Sequence, residues 1–401
     1  MYNKEEILRQ AENHNSFYLY DRSIILRNIQ NLKNNFNGVK FLYSVKSNSN
    51  ADVVDYVISN GLGIDAASGN EALIGKIHNI DICDIQYSAP AKTREEIEMS
   101  IDCATITADS LNEIFLINTI SKERNIITKI GVRINPDFSF FSDEGIASKF
   151  GIDESIFFEN LASLLELTNV VISGLHIHLR CQILEKEIIA SYYEKILSLA
   201  KRIQAATHKK LEFINMGSGI GIDYESTDVP VDIVGLGKLT SQIVKEFTKE
   251  NPKVQIYIEV GRYIVGKSGI YATKVLDKKI SHGKTYVMLH NTLNACIRPC
   301  IANLIYKYNP MPDDIGGTEP LYTTKNPSQF SVIQRGKEIT ENEVVTLVGN
   351  LCTSADVVAN DITLPKLEIG DIVIFTNVGS YSAVLSPMQF ASLGKLVEVL
   401  I

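Results

Sequence analysis

The stretch "FLYSVKSNSN" (Phe41–Asn50) places a lysine directly after a short apolar segment. Phe41, Tyr43 and Val45 alternate with other residues, which predicts a buried strand, and the Ser-Asn run that follows predicts a turn. Lys46 therefore lies at the carboxyl end of the strand. An isolated lysine in this position is most simply the first solvent-facing residue of a loop, because lysine is seldom buried without a partner. The rest of the sequence decides between that interpretation and a functional amine.

Short β-branched runs of this kind alternate with helical patterns from Phe17 to about Gly266. The segment "YYEKILSLAKRIQAA" (Tyr192–Ala206), for example, has apolar residues at helical spacing. Eight strands are predicted, at 41–46, 63–67, 85–88, 104–108, 128–134, 171–178, 212–216 and 255–259. Eight strands that alternate with helices over roughly 250 residues are typical of a (β/α)8 barrel. A doubly wound open sheet is the competing architecture, and the number of strands disfavours it.

The pattern changes after about residue 267. The segments "VVTLVGNLC", "DIVIFTNVG" and "KLVEVLI" indicate strands, "DKKISHGK" and "LEIGD" indicate turns, and helical periodicity is nearly absent. We therefore predict an α/β protein with a TIM-like (β/α)8 barrel at 17–266. A C-terminal all-β domain, a sandwich or barrel, is expected at 267–401, together with residues 1–16.

Composition and charge argue against several classes of protein. The 401 residues are 45% apolar and 21% charged, which fits a globular protein with ample core. A net charge of −8 without long runs of one sign argues against nucleic-acid binding. The sequence has no apolar run of about 18 residues, so we do not expect a membrane span. The charged start lacks an export signal and the six cysteines are scattered, which favours the cytoplasm. Seven histidines without zinc spacing predict no metal site.

Ionisable or glycine-rich segments lie at the ends of six of the eight predicted strands. In a (β/α)8 barrel the carboxyl ends of the strands meet at one face, where catalytic residues gather. Taken alone, Gly217-Ser218-Gly219 is most simply a tight turn and His178 a core histidine. Their coincidence at one face favours an active site. The segments contain Lys46, Asp65, Arg133, Asn135, His176, His178, Arg180, "MGSGIG" (216–221), Glu259 and Arg262.

The glycine-containing turn and Lys46 together predict a site for an aldehyde that carries a phosphate. Without bulky side chains, the backbone N–H groups of Gly217–Gly219 can approach a phosphate closely. A primary amine facing that phosphate can form a Schiff base with a carbonyl cofactor, provided that desolvation or a nearby cation lowers its pKa. Pyridoxal 5′-phosphate meets both demands and is the cofactor that we expect.

These motifs resemble those of the fold-type III pyridoxal phosphate decarboxylases, the family of diaminopimelate and ornithine decarboxylases. The resemblance extends from "FYLYD" at residue 17 to "KLVEVLI". It implies that Lys46 in "YSVKSNSN" forms the Schiff base, that His178 stacks on the pyridine ring, and that Glu259 in "EVGR" faces the ring nitrogen. The expected cofactor-binding residues are Asp65, Arg133, Gly217, Ser218, Gly219, Gly261, Arg262 and Tyr381.

The β-rich segment contains further matches to this family. "LCTSADVV" resembles the catalytic cysteine motif, which makes Cys352 the proton donor; without the resemblance it would be interpreted as a buried core thiol. "IRP" places Arg298 where the family binds a substrate carboxylate, and "NVGSYS" places Tyr381 at the phosphate. In this family the cysteine segment reaches the active site of the other subunit. The resemblance therefore implies a head-to-tail homodimer with shared active sites.

The departures from the family pattern concern the substrate. Arg180-Cys181 replaces a glycine-serine pair, Ser218 replaces a glycine, and Val260 replaces a proline. Thr353, a second expected substrate-binding residue, replaces the glutamate that reads the distal stereocentre in diaminopimelate decarboxylases, which weakens the case for meso-diaminopimelate. Thr353 and the segment "LSPMQF" make the sequence more similar to specialised-metabolite members of the family. Examples are the butirosin enzyme, which acts on carrier-tethered glutamate, and the staphyloferrin enzyme, which acts on a citryl conjugate. Arg180 is an alternative to Arg298 as the residue for a remote carboxylate, or merely fills space.

The expected function is pyridoxal phosphate-dependent decarboxylation of an amino acid with a remote carboxylate, free or conjugated. The alternative is an amino-acid racemase or another pyridoxal phosphate enzyme on the same scaffold. Alanine racemases place an arginine opposite the ring nitrogen, so the acid at Glu259 favours decarboxylation. A catalytically silent homologue is disfavoured because Lys46, His178, Glu259 and Cys352 are all present.

Overall fold

The first elements of the chain are helix α1 (Lys4–Asn13) and strand β1 (Ser16–Tyr20). The structure, a computed structural model, describes residues 3–224, 226–308, 330–336 and 340–401, without the side chains of Tyr306 and Tyr308. Asn3 begins α1, because its side-chain oxygen accepts hydrogen bonds from the backbone N–H groups of Glu5 and Glu6. None of the described helices is long and apolar enough to cross a membrane.

Eight parallel strands close into a barrel, because β5 pairs with β6 and β10 pairs with β2. They are β2 (Val39–Ser44), β3 (Gly63–Ala66), β4 (Ile85–Ser88), β5 (Thr105–Ala108), β6 (Thr128–Asn135), β8 (Val170–His176), β9 (Phe213–Asn215) and β10 (Gln255–Val260). A two-residue strand, β7 (Ile152–Asp153), pairs with the end of β6. All eight predicted strands are confirmed, and their ends differ from the prediction by two residues or fewer, as for 41–46 against Val39–Ser44.

Helices connect the barrel strands. Ser68, Thr93 and Ser110 begin three of them, because each side-chain oxygen accepts a hydrogen bond from the backbone N–H three residues later. The helix predicted at Tyr192–Ala206 is confirmed within α8. The helices are α2 (Arg22–Asn35), α3 (Ala51–Ser59), α4 (Gly69–Ile77), α5 (Arg94–Ser100), α6 (Leu111–Glu123), α7 (Glu154–Leu165), α8 (Lys186–Thr207), α9 (Ile233–Glu250) and α10 (Arg262–Val265).

A second sheet follows the barrel in the order β13-β16-β11-β12-β14-β15, with β1 paired to both β11 and β17. Its later strands are β11 (Gly269–Ser281), β12 (Lys284–Leu289), β13 (Phe330–Ile333), β14 (Asn342–Gly349), β15 (Val357–Pro365), β16 (Ile372–Phe375) and β17 (Glu398–Leu400). The predicted class, a (β/α)8 barrel with a β domain, is confirmed. The division of the chain at residues 17 and 266 stays a prediction, and the pairing places Ser16–Tyr20 in the second sheet.

The β domain contains two features that the sequence pattern did not indicate. Helix α11 (Ile297–Tyr308) lies against β15, where the Asn303 side chain donates to the carbonyl oxygens of Val357 and Val358 at 2.8 and 2.6 Å. In "DKKISHGK", the first five residues continue β11, and only His282-Gly283 forms the turn to β12. Both turn residues have positive φ, as a two-residue hairpin turn requires.

The β domain covers part of the carboxyl face of the barrel. The Tyr381 backbone N–H donates to the Ser47 carbonyl at 2.8 Å, and the Asn48 side chain donates to the Gly379 carbonyl at 2.9 Å. Both contacts connect the turn after β2 to the turn after β16. The two domains therefore meet beside Lys46.

Candidate active site

A cavity of about 610 Å³ lies at the carboxyl ends of the barrel strands, a volume suited to a small ligand. Its lining combines polar groups from several strand ends with phenylalanines from the segment between β6 and β7. Eight of the predicted site residues line it: Lys46, Arg133, His178, Ser218, Glu259, Gly261, Arg262 and Tyr381. Three more lie next to the lining: Asp65 contacts Lys46, Gly217 lies against His178, and Gly219 follows Ser218. Cys352, Thr353 and Arg298 lie outside it.

Lys46 lies on a 3-10 turn, Val45–Ser47, directly after β2. Its Nζ donates to Asp65 Oδ2 at 2.9 Å; the Lys46 side chain is 40% exposed, whereas that of Asp65 is buried. Burial lowers the pKa of Lys46, but the carboxylates of Asp65 and Glu259 outweigh this effect and raise the pKa above its ordinary value. The lowered pKa that a nucleophilic amine needs is therefore absent. Lys46 has to release a proton before it can attack a carbonyl carbon.

Glu259 supplies a buried negative charge at the end of β10. His176 Nε2 lies 3.0 Å from Glu259 Oε1, and His178 Nδ1 lies 3.5 Å from Oε2. The Asn215 side chain donates to Oε1 at 2.9 Å. Burial opposes ionisation, but His176 and Lys46 hold the pKa of Glu259 well below its ordinary value. Glu259 is therefore a carboxylate, oriented from two sides.

His178 is held as a neutral ring. Burial, aided by the positive charge of Arg133, lowers its pKa to about 3 despite the neighbouring Glu259. Arg133 Nη2 donates to the His178 carbonyl at 2.9 Å, and Arg133 Nη1 lies 3.5 Å from Asp109 Oδ1. The Arg133 guanidinium also lies 4.5 Å from the centroid of the Phe150 ring. Arg133 thus fixes the backbone that carries His178.

The glycines at the ends of β9 and β10 lie too close to neighbouring residues to carry a side chain. Gly217 has φ +60°, and a Cβ atom there would lie 2.6 Å from both His178 Nδ1 and the Ile177 carbonyl oxygen. At Gly261 a Cβ atom would lie 2.7 Å from Ser47 Oγ. Because only glycine permits these approaches, the backbone at both positions comes close to the residues of the cavity wall.

A cationic group accompanies these glycines. Arg262 is buried, its Nη1 donates to the Tyr224 hydroxyl, and its guanidinium lies 4.8 Å from the centroid of the Tyr381 ring. Burial opposes ionisation of Tyr224, but Arg262 and then Arg298 lower its pKa. Tyr381 has φ +54°, unusual for a residue with a side chain, and its hydrogen bond to Ser47 holds it there.

These residues fit the expected cofactor. Ser218, Gly261 and Arg262 line one part of the cavity and provide backbone and charge for a phosphate. The same cavity is lined by the amine of Lys46 and the carboxylate of Glu259. Among the described residues, Asp65 Oδ1 and His178 Nδ1 are buried without a hydrogen-bond partner, so the site retains capacity for polar contacts.

Sequence reasoning assigned no role to His176 and Asn215, which orient Glu259. His176 is two residues before His178, so both point to the same side of an extended segment; this spacing was the available signal. Ser88 Oγ lies 2.9 Å from His176 Nδ1. Asn215 is the last residue of β9, and nothing in the local sequence marks it as a partner of Glu259.

Cys352 and Thr353 lie in a turn after β14. Cys352 is exposed, and Thr353 Oγ1 accepts a hydrogen bond from the Ala355 N–H at 3.2 Å. Buried Asp356 fixes the turn, because its oxygens accept from the Leu351 and Leu293 N–H groups, each at 3.0 Å. The predicted roles of Cys352 and Thr353 stay predictions, and so does that of Arg298, which is buried.

Comparison with known proteins gives the chemistry. The family described as "Pyridoxal-dependent decarboxylase, pyridoxal binding domain" matches residues 22–266. The L-glutamyl-[BtrI acyl-carrier protein] decarboxylase of Niallia circulans is 28% identical over 398 residues, covering 96% of this chain and 88% of the relative. The diaminopimelate decarboxylase of Archaeoglobus fulgidus is 29% identical over 394 residues, covering 96% and 87%.

A solved structure shows the same architecture. Diaminopimelate decarboxylase from Helicobacter pylori, complexed with L-lysine, has a TM-score of 0.82 and 25% sequence identity, and the match covers 100% of this chain and 94% of that chain. The match to the pyridoxal-binding domain spans all eight barrel strands and the cavity residues that they carry. The chain therefore belongs to the pyridoxal-dependent decarboxylase family and is a pyridoxal phosphate-dependent carboxy-lyase.

Proposed function

We propose that this chain decarboxylates an amino acid whose distal end carries a carboxylate or a conjugated group. Lys46, His178, Glu259 and Cys352 are its catalytic residues. The observation that carries the proposal is the cavity in which an amine, a neutral imidazole and a buried carboxylate converge beside a glycine turn. Two similar proteins are named for such substrates, diaminopimelate and a glutamyl group on an acyl-carrier protein.

When bound, pyridoxal phosphate supplies a carbonyl carbon for an amino group and a ring that accepts the electron pair left when CO2 departs. Gly217, Gly219, Gly261 and Arg262 would hold its phosphate, with Tyr381 beside them. Glu259 would keep a proton on the ring nitrogen, since opposite charges about 4 Å apart are worth about 4 kcal/mol at an effective dielectric constant of 20. Because His176 and Asn215 already orient Glu259, this charge needs no rearrangement.

Proton movement at Lys46 depends on Asp65. The ammonium is stabilised by the contact of 2.9 Å to Asp65 Oδ2, and Asp65 Oδ1 is buried without a hydrogen-bond partner among the described residues. Burial, followed by repulsion from Glu259, raises the pKa of Asp65. Asp65 is therefore a suitable acceptor for the proton that Lys46 releases.

Cys352 would act from a second copy of the chain, in a head-to-tail homodimer. It is exposed and lies outside the cavity of its own chain. The segment after Tyr381 presents a run of exposed apolar side chains, which in a globular protein marks an interaction surface. They are Val384, Leu385, Met388 and Phe390, with exposed fractions of 37, 55, 46 and 42%. A second copy that covers this surface would lie beside the cavity, because Tyr381 lines it.

Complementation tests the shared site. Lys46→Ala and Cys352→Ala homodimers should each be inactive, but mixed dimers contain one site with both native residues. Half of a randomised mixture is mixed dimer, so about a quarter of wild-type activity should return. The absence of any recovery, with subunit exchange verified by mass, would show that Cys352 acts within its own chain or not at all.

The substrate is tested by CO2 release from the cofactor-loaded protein. The panel comprises meso-diaminopimelate, lysine, ornithine, arginine, glutamate, citryl-diaminopropionate and a glutamyl carrier protein. Release from meso-diaminopimelate would show that Thr353 tolerates that substrate, whereas release only from a conjugate would identify a specialised activity. Treatment with borohydride should fix the cofactor on the peptide that contains Lys46. Fixation elsewhere, or on Lys46→Ala protein, would contradict the assignment of the amine.

We also propose a cytoplasmic location. All six cysteines are free thiols, as is usual in a reducing compartment. Fractionation of the producing cells tests it, and recovery of the protein outside the cytoplasm would contradict it.

A further inference from the structure

Arg180 is a cationic side chain of the cavity lining, and the sequence left open whether it or Arg298 binds a remote carboxylate. Its Nε is buried and has no hydrogen-bond partner among the described residues. The other three lysines and arginines of the lining are engaged: Lys46 with Asp65, Arg133 with Asp109 and the His178 carbonyl, and Arg262 with Tyr224. The described part of the cavity therefore leaves the charge of Arg180 available for a ligand.

The surroundings of Arg180 strengthen any interaction with an anion. The guanidinium lies 5.6 Å from the centroid of the Phe141 ring. Phe138, Phe140 and Phe150 also line the cavity, so much of this wall is apolar. An apolar wall lowers the local dielectric constant and so strengthens the attraction between Arg180 and an anion. Phe141 is 62% exposed, which places its contact with Arg180 at the mouth of the cavity.

Arg298 is less suited to a group at this mouth. Its exposed fraction is 7%, and it lies outside the cavity lining. Burial lowers its pKa, and the charged neighbours that act on it include Tyr224 and Arg262, at the end of the site where a phosphate would bind. Arg180 therefore faces the side from which the distal part of a substrate would extend to solvent.

We propose that Arg180 binds the distal anionic group of the substrate, a carboxylate or a phosphate, and selects substrates that carry one. This inference rests on the proposed function, because it assumes a substrate whose amino-acid end lies at Lys46. A guanidinium can donate two parallel hydrogen bonds to either group while it stays over the Phe141 ring. Arg180-Cys181 stands where the family pattern that this chain resembles has glycine-serine, so that pattern supplies no cation at this position.

Calorimetry on the cofactor-loaded protein tests the proposal with ligands that do not react. The probes are glutarate, adipate and pimelate, their dimethyl esters, and 4′-phosphopantetheine against pantetheine. We expect Arg180→Gln to weaken binding of the charged member of each pair about tenfold or more, with the neutral member unchanged. Arg180→Lys, which keeps the charge without the fork, should lose less. Preference for the dicarboxylates or for the phosphate distinguishes the two sources of the anion.

Arg22→Gln is the matched control, since the Arg22 guanidinium lies 5.7 Å from the Tyr56 ring centroid but outside the cavity. Three results would overturn the proposal: no anion binding by the wild-type protein, equal binding by Arg180→Gln, or equal loss for charged and neutral probes. None of these requires turnover. Failure at Arg180 is therefore distinguishable from failure of the proposed decarboxylation, which the borohydride and CO2 experiments report.

Discussion

Replacing Gly217 by alanine should damage both stability and the cofactor site, and the structure separates the two causes. With φ +60°, Gly217 is in the left-handed region, where a side chain costs about 1–2 kcal/mol. A Cβ atom there would also lie 2.6 Å from the Ile177 carbonyl oxygen and from His178 Nδ1. The His178 ring can rotate away, but the carbonyl belongs to the backbone, so the chain has to shift.

Gly283 provides the matched control. Its φ is +79°, but a Cβ atom there would have nothing within 4 Å. Gly283→Ala should therefore cost only the conformational term, about 1–2 kcal/mol. Gly217→Ala should add an overpacking cost of about 1–3 kcal/mol, for a total of about 2–5 kcal/mol.

The assay has two parts. Urea unfolding of the cofactor-free variants gives the free energy of unfolding, and equilibrium titration gives the Kd for pyridoxal phosphate. Gly217→Ala should be the less stable variant and should bind the cofactor more weakly, because the backbone beside His178 has moved. Gly283→Ala should bind it as the wild type does. Equal destabilisation by the two substitutions, or wild-type cofactor affinity in Gly217→Ala, would refute the argument that Gly217 lies in contact with the site.

Asp65→Asn should lower the pKa of Lys46, because the carboxylate that stabilises the ammonium is lost, so the rate of cofactor capture should rise at lower pH than in the wild type. His178, with a pKa of about 3 in the folded chain, does not take up the proton that an unfolded histidine binds below about pH 6.5. As the pH falls from about 6.5 to about 3, His178 should therefore lower the free energy of unfolding by up to about 1.4 kcal/mol per pH unit, and His178→Gln should remove that contribution in urea unfolding. Asp356→Asn should cost about 1–3 kcal/mol and lower kcat without weakening cofactor binding, because it loosens the turn of Cys352.

Each of these changes has a control elsewhere in the chain. Asp84→Asn breaks an exposed contact of 2.8 Å to Lys40 and should leave cofactor capture unchanged. His208→Gln, at an exposed position, should keep the acid slope, and Asp361→Asn should keep kcat. An unshifted capture profile in Asp65→Asn would contradict the role given to that carboxylate. An acid slope as steep in His178→Gln as in the wild type would contradict the neutral state given to His178. An unchanged kcat in Asp356→Asn would contradict the role given to Asp356 in holding the turn of Cys352.

The barrel could be predicted because its signals are local. A strand such as 85–88 is a short β-branched and aromatic run with turn residues nearby, and Tyr192–Ala206 repeats apolar residues at helical spacing. Helix α11 was not predicted, because Pro299 and Cys300 interrupt its apolar pattern, although proline is compatible with a first helical turn. Its docking on β15 through Asn303 is a tertiary contact that the local sequence does not encode.

The candidate site could be predicted only in part, for the same reason. Lys46, His178 and Glu259 are marked by their places at strand ends. The contacts of His176 and Asn215 with Glu259 depend on which strands are neighbours in the barrel, here β8, β9 and β10. Short sequence motifs do not encode that order. The raised pKa of Lys46 likewise follows from carboxylates on other strands.

The position of β1 has a consequence for synthesis on the ribosome. Its residues, Ser16–Tyr20, pair with Gly269–Thr273, which are translated about 250 residues later. At about 5–20 residues per second, β1 waits roughly 10–50 s for that partner, and longer for β17. All eight barrel strands emerge in the interval, so the barrel can close first. Until then β1, whose five residues are all buried in the folded chain, stays unpaired and available to a chaperone. Nascent chains arrested before Gly269 should therefore be cleaved by protease near β1, and chains arrested well beyond β17 should not.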